Sequence, residues 1–195
     1  MRAETEDGKP RGWLATPSAW VARFAPLVAA RAPVLDLACG GGRHTRLFLE
    51  AGHTVTAVDR DVSGLAELRD RPGLEIVEAD LESERPWPFP GRQFGAIVVA
   101  NYLYRPLFPV LFAALAPDGV LIYETFAEGN EAFGRPRNPD HLLKTGELLD
   151  LVHGRLLVVA YEHGKSDRCK PAMVQRICAV NAAPDSHPAI EIPRG

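Results

Sequence analysis

Cysteine is scarce in this chain. Cys39, Cys169 and Cys178 are the three in 195 residues. So sparse and odd a set excludes a disulfide framework and reads as reduced thiols of a cytoplasmic protein. Cys169-x8-Cys178 fits no zinc spacing and Cys39 has no near partner, so no metal site is expected. No apolar run approaches the roughly 18 residues of a membrane-spanning helix. The first ten residues, MRAETEDGKP, are charged where a secretory leader needs an apolar stretch, so none is expected. Neither sign of charge dominates. With 22 basic and 25 acidic residues the formal net charge is −3, which argues against a nucleic-acid module driven by net charge. Repeats and low-complexity blocks are absent as well.

What is present is an ordinary globular composition, 46% hydrophobic and 24% charged. The length suits one domain of about 150 residues, expected over 13–182 between tails at 1–12 and 183–195. Thr16-Pro17-Ser18 reads as a helix start, with Thr16 as N-cap and Pro17 at the first helical position. Trp20, Phe24, Leu27 and Val28 then share one helical face, and Pro26 should kink or split that helix. Strands are expected at 33–37, 54–58, 74–78, 96–100, 120–125, 156–161 and 174–180. The run AIVVA at 96–100 has the pattern of a strand buried on both faces. Helices should follow Gly42, Ser63 and Gly146, and Leu107, Leu111 and Leu115 share another helical face. A turn is expected at Pro117-Asp118-Gly119 and loops at 126–144 and 162–171. The last two strands have no room for a helix between them and should pair antiparallel. Such alternation points to an α/β doubly wound sheet with helices on both faces.

The most informative stretch is Val34-Leu35-Asp36-Leu37-Ala38-Cys39-Gly40-Gly41-Gly42. It sets an acid inside the first strand and a glycine turn directly after it. Glycine lets a backbone turn tightly and approach a ligand closely. In open parallel sheets, ligands bind beyond the carboxyl ends of the strands. A second acid, Asp59, closes the second strand, at the spacing where a carboxylate commonly accepts hydrogen bonds from a ribose. The dinucleotide fingerprint G-x-G-x-x-G is a rival. Gly40 and Gly42 supply two of its glycines, but Thr45 stands at the third position.

DLACGGG, followed by Val58-Asp59-Arg60-Asp61, resembles the first two motifs of class I S-adenosylmethionine-dependent methyltransferases. The resemblance implies a seven-stranded sheet of order 3-2-1-4-5-7-6 with the last strand antiparallel, and S-adenosylmethionine as cofactor. It further implies a cofactor site made of Asp36, Ala38, Gly40, Gly42, Asp59, Arg60, Asp80, Leu81 and Asn101. In this family the glycine turn cradles the methionine moiety and the second-strand acid binds the ribose hydroxyls. Ala79-Asp80-Leu81 resembles the adenine-contacting segment, and Asn101-Tyr102 sits where the fourth strand nears the substrate. Ala38 departs from the family, which usually has glycine there. Asn101 to Leu107, Tyr123 to Phe126, Gly129-Asn130-Glu131, Asn138-Pro139-Asp140 and Gly146-Glu147-Leu148 are similar to a bacterial branch near the tellurite-resistance methyltransferases.

The reading is therefore methyl transfer to a small-molecule acceptor, by a monomer or homodimer. The alternatives are a nicotinamide-dependent oxidoreductase and a catalytically silent methyltransferase-like subunit that binds a partner. No constellation of bases stands out, which favours an acceptor that needs little deprotonation. Candidates for a catalytic role are Tyr102, Tyr104, Arg105, Glu124 and His141. Tyr104, Arg105, Arg135 and Arg137 are candidates for holding the acceptor, the two last in a loop long enough to serve as a binding loop.

Overall fold

The computed structural model describes residues 16–166, 170–183 and 189–193. Among these, seven strands form one sheet of order 3-2-1-4-5-7-6. The strands are β1 (Val34–Leu37), β2 (Val55–Asp59), β3 (Leu74–Glu78), β4 (Phe94–Ala100), β5 (Leu115–Phe126), β6 (Leu157–Ser166) and β7 (Ala172–Val180). β1 to β5 run parallel, and β7 lies antiparallel between β5 and β6. The helices are α1 (Ala19–Phe24), α2 (Arg43–Glu50), α3 (Phe108–Ala114) and α4 (Glu147–Val152). No helix among the described residues is long and apolar enough to cross a membrane.

Alternation along the strands divides the core into two layers. Val34, Ala96, Val98 and Ile122 pack with Trp20 and Phe24 of α1 and Phe48 of α2. Leu35, Leu37, Ile97, Val99 and Tyr123 pack with Phe108 and Leu111 of α3 and Leu148 and Val152 of α4. Burying each such large side chain contributes about 1.5–3 kcal/mol. Trp20 and Phe24 meet edge to face at 4.6 Å. The Trp20 indole N–H also donates to the carbonyl of Ile177 at 3.3 Å, tying α1 to β7.

Several local expectations shift. The first helix is capped by Ser18, whose hydroxyl accepts the Trp20 N–H, so Thr16 and Pro17 lie before the helix. Pro26 splits it as expected, into α1 and a 3-10 turn at Ala25–Leu27. The segment after Val62 is a 3-10 helix, Ser63–Leu68. Leu115 begins β5 instead of ending α3, and the turn at 117–119 is absorbed as an irregularity of that strand, with Asp118 at φ 59°. β6 extends through Ser166, into the expected loop, because its pairing with β7 continues to Ser166–Ala172. The expected N-terminal tail and Cys169 lie outside the described residues. Part of the C-terminal stretch lies against α1, where Arg23 Nε donates to the carbonyl of Pro193 at 2.9 Å.

Candidate functional site

The strand order reverses at the β1–β4 pair. That is the switch point where doubly wound sheets open a crevice. A cavity of about 560 Å³ lies there, at the carboxyl ends of five strands. Its wall takes Ala38 after β1, Asp59 and Arg60 at the end of β2, and Ala79, Asp80, Leu81 and Glu82 after β3. Asn101, Tyr102 and Leu103 follow β4, Thr125 and Phe126 end β5, and Pro136 and His141 come from the loop beyond.

The glycine turn is shaped by backbone geometry. Ala38, Gly40 and Gly42 have φ of 53°, 51° and 72°. A Cβ on Gly42 would strike Leu65 Cδ2, so the 3-10 helix at 63–68 can pack onto the turn only over glycine. Gly64 completes that packing, since a Cβ there would come within 3.1 Å of Gly41 Cα. Asp59 holds the turn from the other side. Its Oδ2 accepts the Gly40 N–H at 2.8 Å and its Oδ1 accepts the Asp61 N–H at 3.1 Å. Asp80 sits exposed after β3, its Oδ1 accepting the Glu82 N–H at 3.0 Å. Asn101, at φ 58°, turns the chain away from β4 while its N–H donates to the carbonyl of Glu124 at 2.9 Å.

Asp36 is buried and lies off the cavity wall. It faces the α1–α2 side of the sheet, where Thr45 Oγ1 donates to its Oδ2 at 2.6 Å. Burial pushes its carboxyl up to about 6, against the Thr45 hydrogen bonds that pull it down. His44 Nδ1 lies 4.0 Å from Asp36 Oδ1, and its Nε2 accepts the Ser18 N–H at 3.1 Å. An accepting Nε2 puts the proton of the neutral ring on Nδ1. Burial, then the charge of Arg43, lowers the imidazole to about 3, so His44 stays neutral. Asp36 therefore braces the start of α2 behind the turn. Gly40 and Gly42 also shape the turn from outside the wall.

Five candidate side chains lie elsewhere. Glu124 pairs with Arg176 at 3.2 Å on the far side of β5 from Tyr123. Arg105 is held by Glu147 at 2.7 Å. Arg135 and Arg137 are exposed on the loop, and Arg137 Nε donates to the carbonyl of Gly134 at 3.3 Å. Tyr104 packs against the α3–α4 core. None of these lies on the cavity wall, because the chain turns them toward the neighbouring loop, the hairpin or solvent. Tyr102 and His141 do line it. The Tyr102 hydroxyl is buried without a hydrogen-bond partner among the described residues. Burial, then the charge of Glu82, raises it well above the ordinary phenol range, so it is a donor at neutral pH and no base. Burial likewise keeps the Cys39 thiol protonated, and among the described residues no cluster could hold a metal.

Sequence reasoning missed the supports of the loop wall. Asn130 is buried, its amide donating to the carbonyl of Pro136 at 3.1 Å while its Oδ1 accepts the Met173 N–H at 3.2 Å. Gln175 is buried too, its amide donating to the carbonyl of Lys144 at 2.6 Å. Thr125, Phe126 and Glu82 also reach the cavity unassigned. For these last three the available signal was position, since each follows or ends a parallel strand.

Residues 34–119 match the methyltransferase domain family. A trans-aconitate 2-methyltransferase of Delftia acidovorans is 36% identical over 129 residues, 61% of this chain and 47% of that protein. One from Paracidovorax citrulli is 38% identical over 105 residues, 49% of this chain and 39% of that protein. The chain thus spans about half the length or less of these curated relatives. Among solved structures, TehB from Haemophilus influenzae superposes with a TM-score of 0.65 at 15% identity, over 80% of this chain and 60% of that one. A 1,6-didemethyltoxoflavin-N1-methyltransferase from Burkholderia thailandensis superposes at 0.60 with 22% identity, over 85% and 77%. These two likenesses are of fold.

Proposed function

We propose that this chain, whose residues 34–119 match the methyltransferase domain family, is a class I S-adenosylmethionine-dependent methyltransferase and transfers a methyl group from S-adenosylmethionine to a small-molecule acceptor. The observation that carries the reading is the Gly40–Asp59 contact at the mouth of the β1–β4 crevice. It sets a carboxylate beside a backbone turn, on the wall of a cavity in the size range of cofactor sites.

The residues suit the cofactor. Gly40 and Gly41 leave open space where a Cβ would stand, so a ligand can approach the backbone closely. Asp59 would accept the ribose hydroxyls, with Arg60 beside it, and Asp80 and Leu81 would flank the adenine. Ala38 and Asn101 would border the methionine end. When bound, the cofactor supplies an electrophilic methyl on a good leaving group. The chain's own work is then to orient and to exclude water. Holding two reactants in line is worth about 7–11 kcal/mol in effective molarity. The Tyr102 hydroxyl would donate a hydrogen bond to the acceptor, and His141 is the imidazole on the wall. The acceptor needs little further deprotonation.

Two relatives bear names stating action on trans-aconitate, a small molecule, which supports the acceptor class. The net charge of −3 supports an acceptor other than nucleic acid. Sparse cysteines, two of them buried, support a cytoplasmic location, and the proposed state is a monomer or homodimer. Against a nicotinamide enzyme, Thr45 at the third fingerprint position is bonded to Asp36.

A thermal-shift and calorimetric comparison tests the reading. S-adenosylhomocysteine should bind and stabilise the protein by about 2.7 kcal/mol at a hundredfold excess over Kd. NADH should do neither. Stabilisation by NADH alone would reverse the assignment.

A further inference from the structure

Arg105 spends its guanidinium on the segment that carries His141. Nε and Nη2 donate to Oε1 and Oε2 of Glu147 at 2.7 and 2.9 Å. Nη1 donates to the carbonyl of Asp140 and Nη2 to that of Leu142, each at 2.8 Å. The two gripped carbonyls flank His141, the residue whose side of the turn meets the cavity. Glu147 Oε2 also accepts the Lys144 N–H at 2.7 Å, closing the far end of the segment. One planar fork therefore locks the loop after β4 to the loop after β5. Lysine, a point charge with no fixed fork, cannot reproduce that set. The clasp lies on the β4–β5 side of the switch point, whereas Asp59, Arg60, Asp80 and Leu81 follow β2 and β3 on the other side.

We propose that Arg105 is a positioning residue. Its clasp sets His141 and the loop wall around it, and so the acceptor end of the cavity, separately from the cofactor end. The word acceptor rests on the methyltransferase reading above; the clasp itself does not. Arg105 touches neither reactant, and it acts through Asp140, Leu142 and Glu147.

Hydrogen-exchange mass spectrometry of the full chain tests this, alongside calorimetry with S-adenosylhomocysteine and the rate at which diethyl pyrocarbonate modifies His141. In Arg105→Ala, amides 141–144 should exchange about tenfold faster or more, while peptides of β1 and β2 are unmoved. The His141 modification rate should change by about threefold or more, and S-adenosylhomocysteine affinity should stay within about twofold. Ethylguanidinium added to Arg105→Ala should restore both loop readouts. Arg105→Lys, which keeps charge and length, should behave like the alanine variant and covers the case in which alanine unfolds. Unchanged exchange and His141 reactivity would overturn the proposal. So would full rescue by lysine, or loss of cofactor affinity in step with the loop. Failure of the unaltered protein to bind S-adenosylhomocysteine would instead remove the methyltransferase reading and leave the loop readouts to judge the clasp.

Discussion

The Gly40 N–H meets Asp59 Oδ2 across 2.8 Å, joining the turn after β1 to the last residue of β2. One carboxylate thus has two tasks: it holds the glycine turn, and it presents acceptor lone pairs to the cavity. Asp59→Ala removes both, and Asp59→Asn keeps one oxygen for the turn. Hydrogen bonds to a charged partner are worth about 1.5–3 kcal/mol, so alanine should weaken S-adenosylhomocysteine binding roughly 10- to 100-fold. Asparagine should fall between. Calorimetric titration measures both, and equal affinity in all three proteins would remove Asp59 from the site.

Thr45→Val probes the buried acid behind the turn. The hydroxyl donates to the ionised form of Asp36, so its loss raises further a carboxyl already at about 6. A folded-state value above the unfolded 3.8 means that the folded protein binds the proton more tightly. The Asp36 contribution is then fully present below 3.8 and is lost as pH rises through about 6. His44 works in the opposite sense. Its folded value near 3 lies below the unfolded 6.5, so its contribution is lost as pH falls from 6.5 towards 3. The two slopes oppose each other between about 4 and 6 in the unaltered protein. Thr45→Val should cost about 2 kcal/mol at pH 8, with Asp36 ionised, and about half of that at pH 5. Urea unfolding at both pH values measures this. A larger loss at pH 5 than at pH 8 would contradict the ionised carboxylate.

The backbone plan was legible in the sequence because periodicity and punctuation carry it. The uninterrupted run at 96–100 became the central strand β4, and Gly40, Gly42 and Gly52 all took the positive φ that such turns need. The cavity wall was partly legible: Ala38, Asp59, Arg60, Asp80, Leu81 and Asn101 all reach it. Asp36 was misplaced because a two-residue period fixes which face of the sheet a side chain takes, and position 36 shares the face of Val34 rather than opening on the ligand edge. Arg105 resembled a ligand group until Glu147, 42 positions away, was found beside it. Nothing local signals such a partner. The same holds for Asn130 and Gln175, whose roles depend on β7 lying next to β5.

Gly42→Ala separates backbone strain from crowding. Position 42 has φ 72°, and a Cβ there would collide with Leu65 Cδ2 and come within 3.2 Å of Leu68 Cδ1. Left-handed alanine costs about 1–2 kcal/mol and overpacking about 1–3 more, for a loss of about 2–5 kcal/mol. Gly52 is a control with φ 86° and open space around it, so Gly52→Ala should lose only the backbone share, about 1–2 kcal/mol. Denaturant midpoints measure both. Equal losses would mean that the 63–68 helix gives way and does not require glycine beneath it.

Ala38→Gly runs the other way. Alanine to glycine ordinarily destabilises by about 0.5–1 kcal/mol within regular structure. Ala38 sits at φ 53°, where its Cβ carries a penalty of about 1–2 kcal/mol that glycine escapes. Against that stand about 0.4–1 kcal/mol of extra freedom in the unfolded chain, and part of the roughly 0.8 kcal/mol of one methyl. The methyl faces the cavity and is only half-buried, so its packing loss is small. The terms leave a change between about zero and 1 kcal/mol in favour of glycine. Urea unfolding with and without S-adenosylhomocysteine measures it, with ligand affinity expected within about twofold of the unaltered protein. A loss of about 1 kcal/mol or more would show that packing of the methyl outweighs the left-handed backbone at this turn.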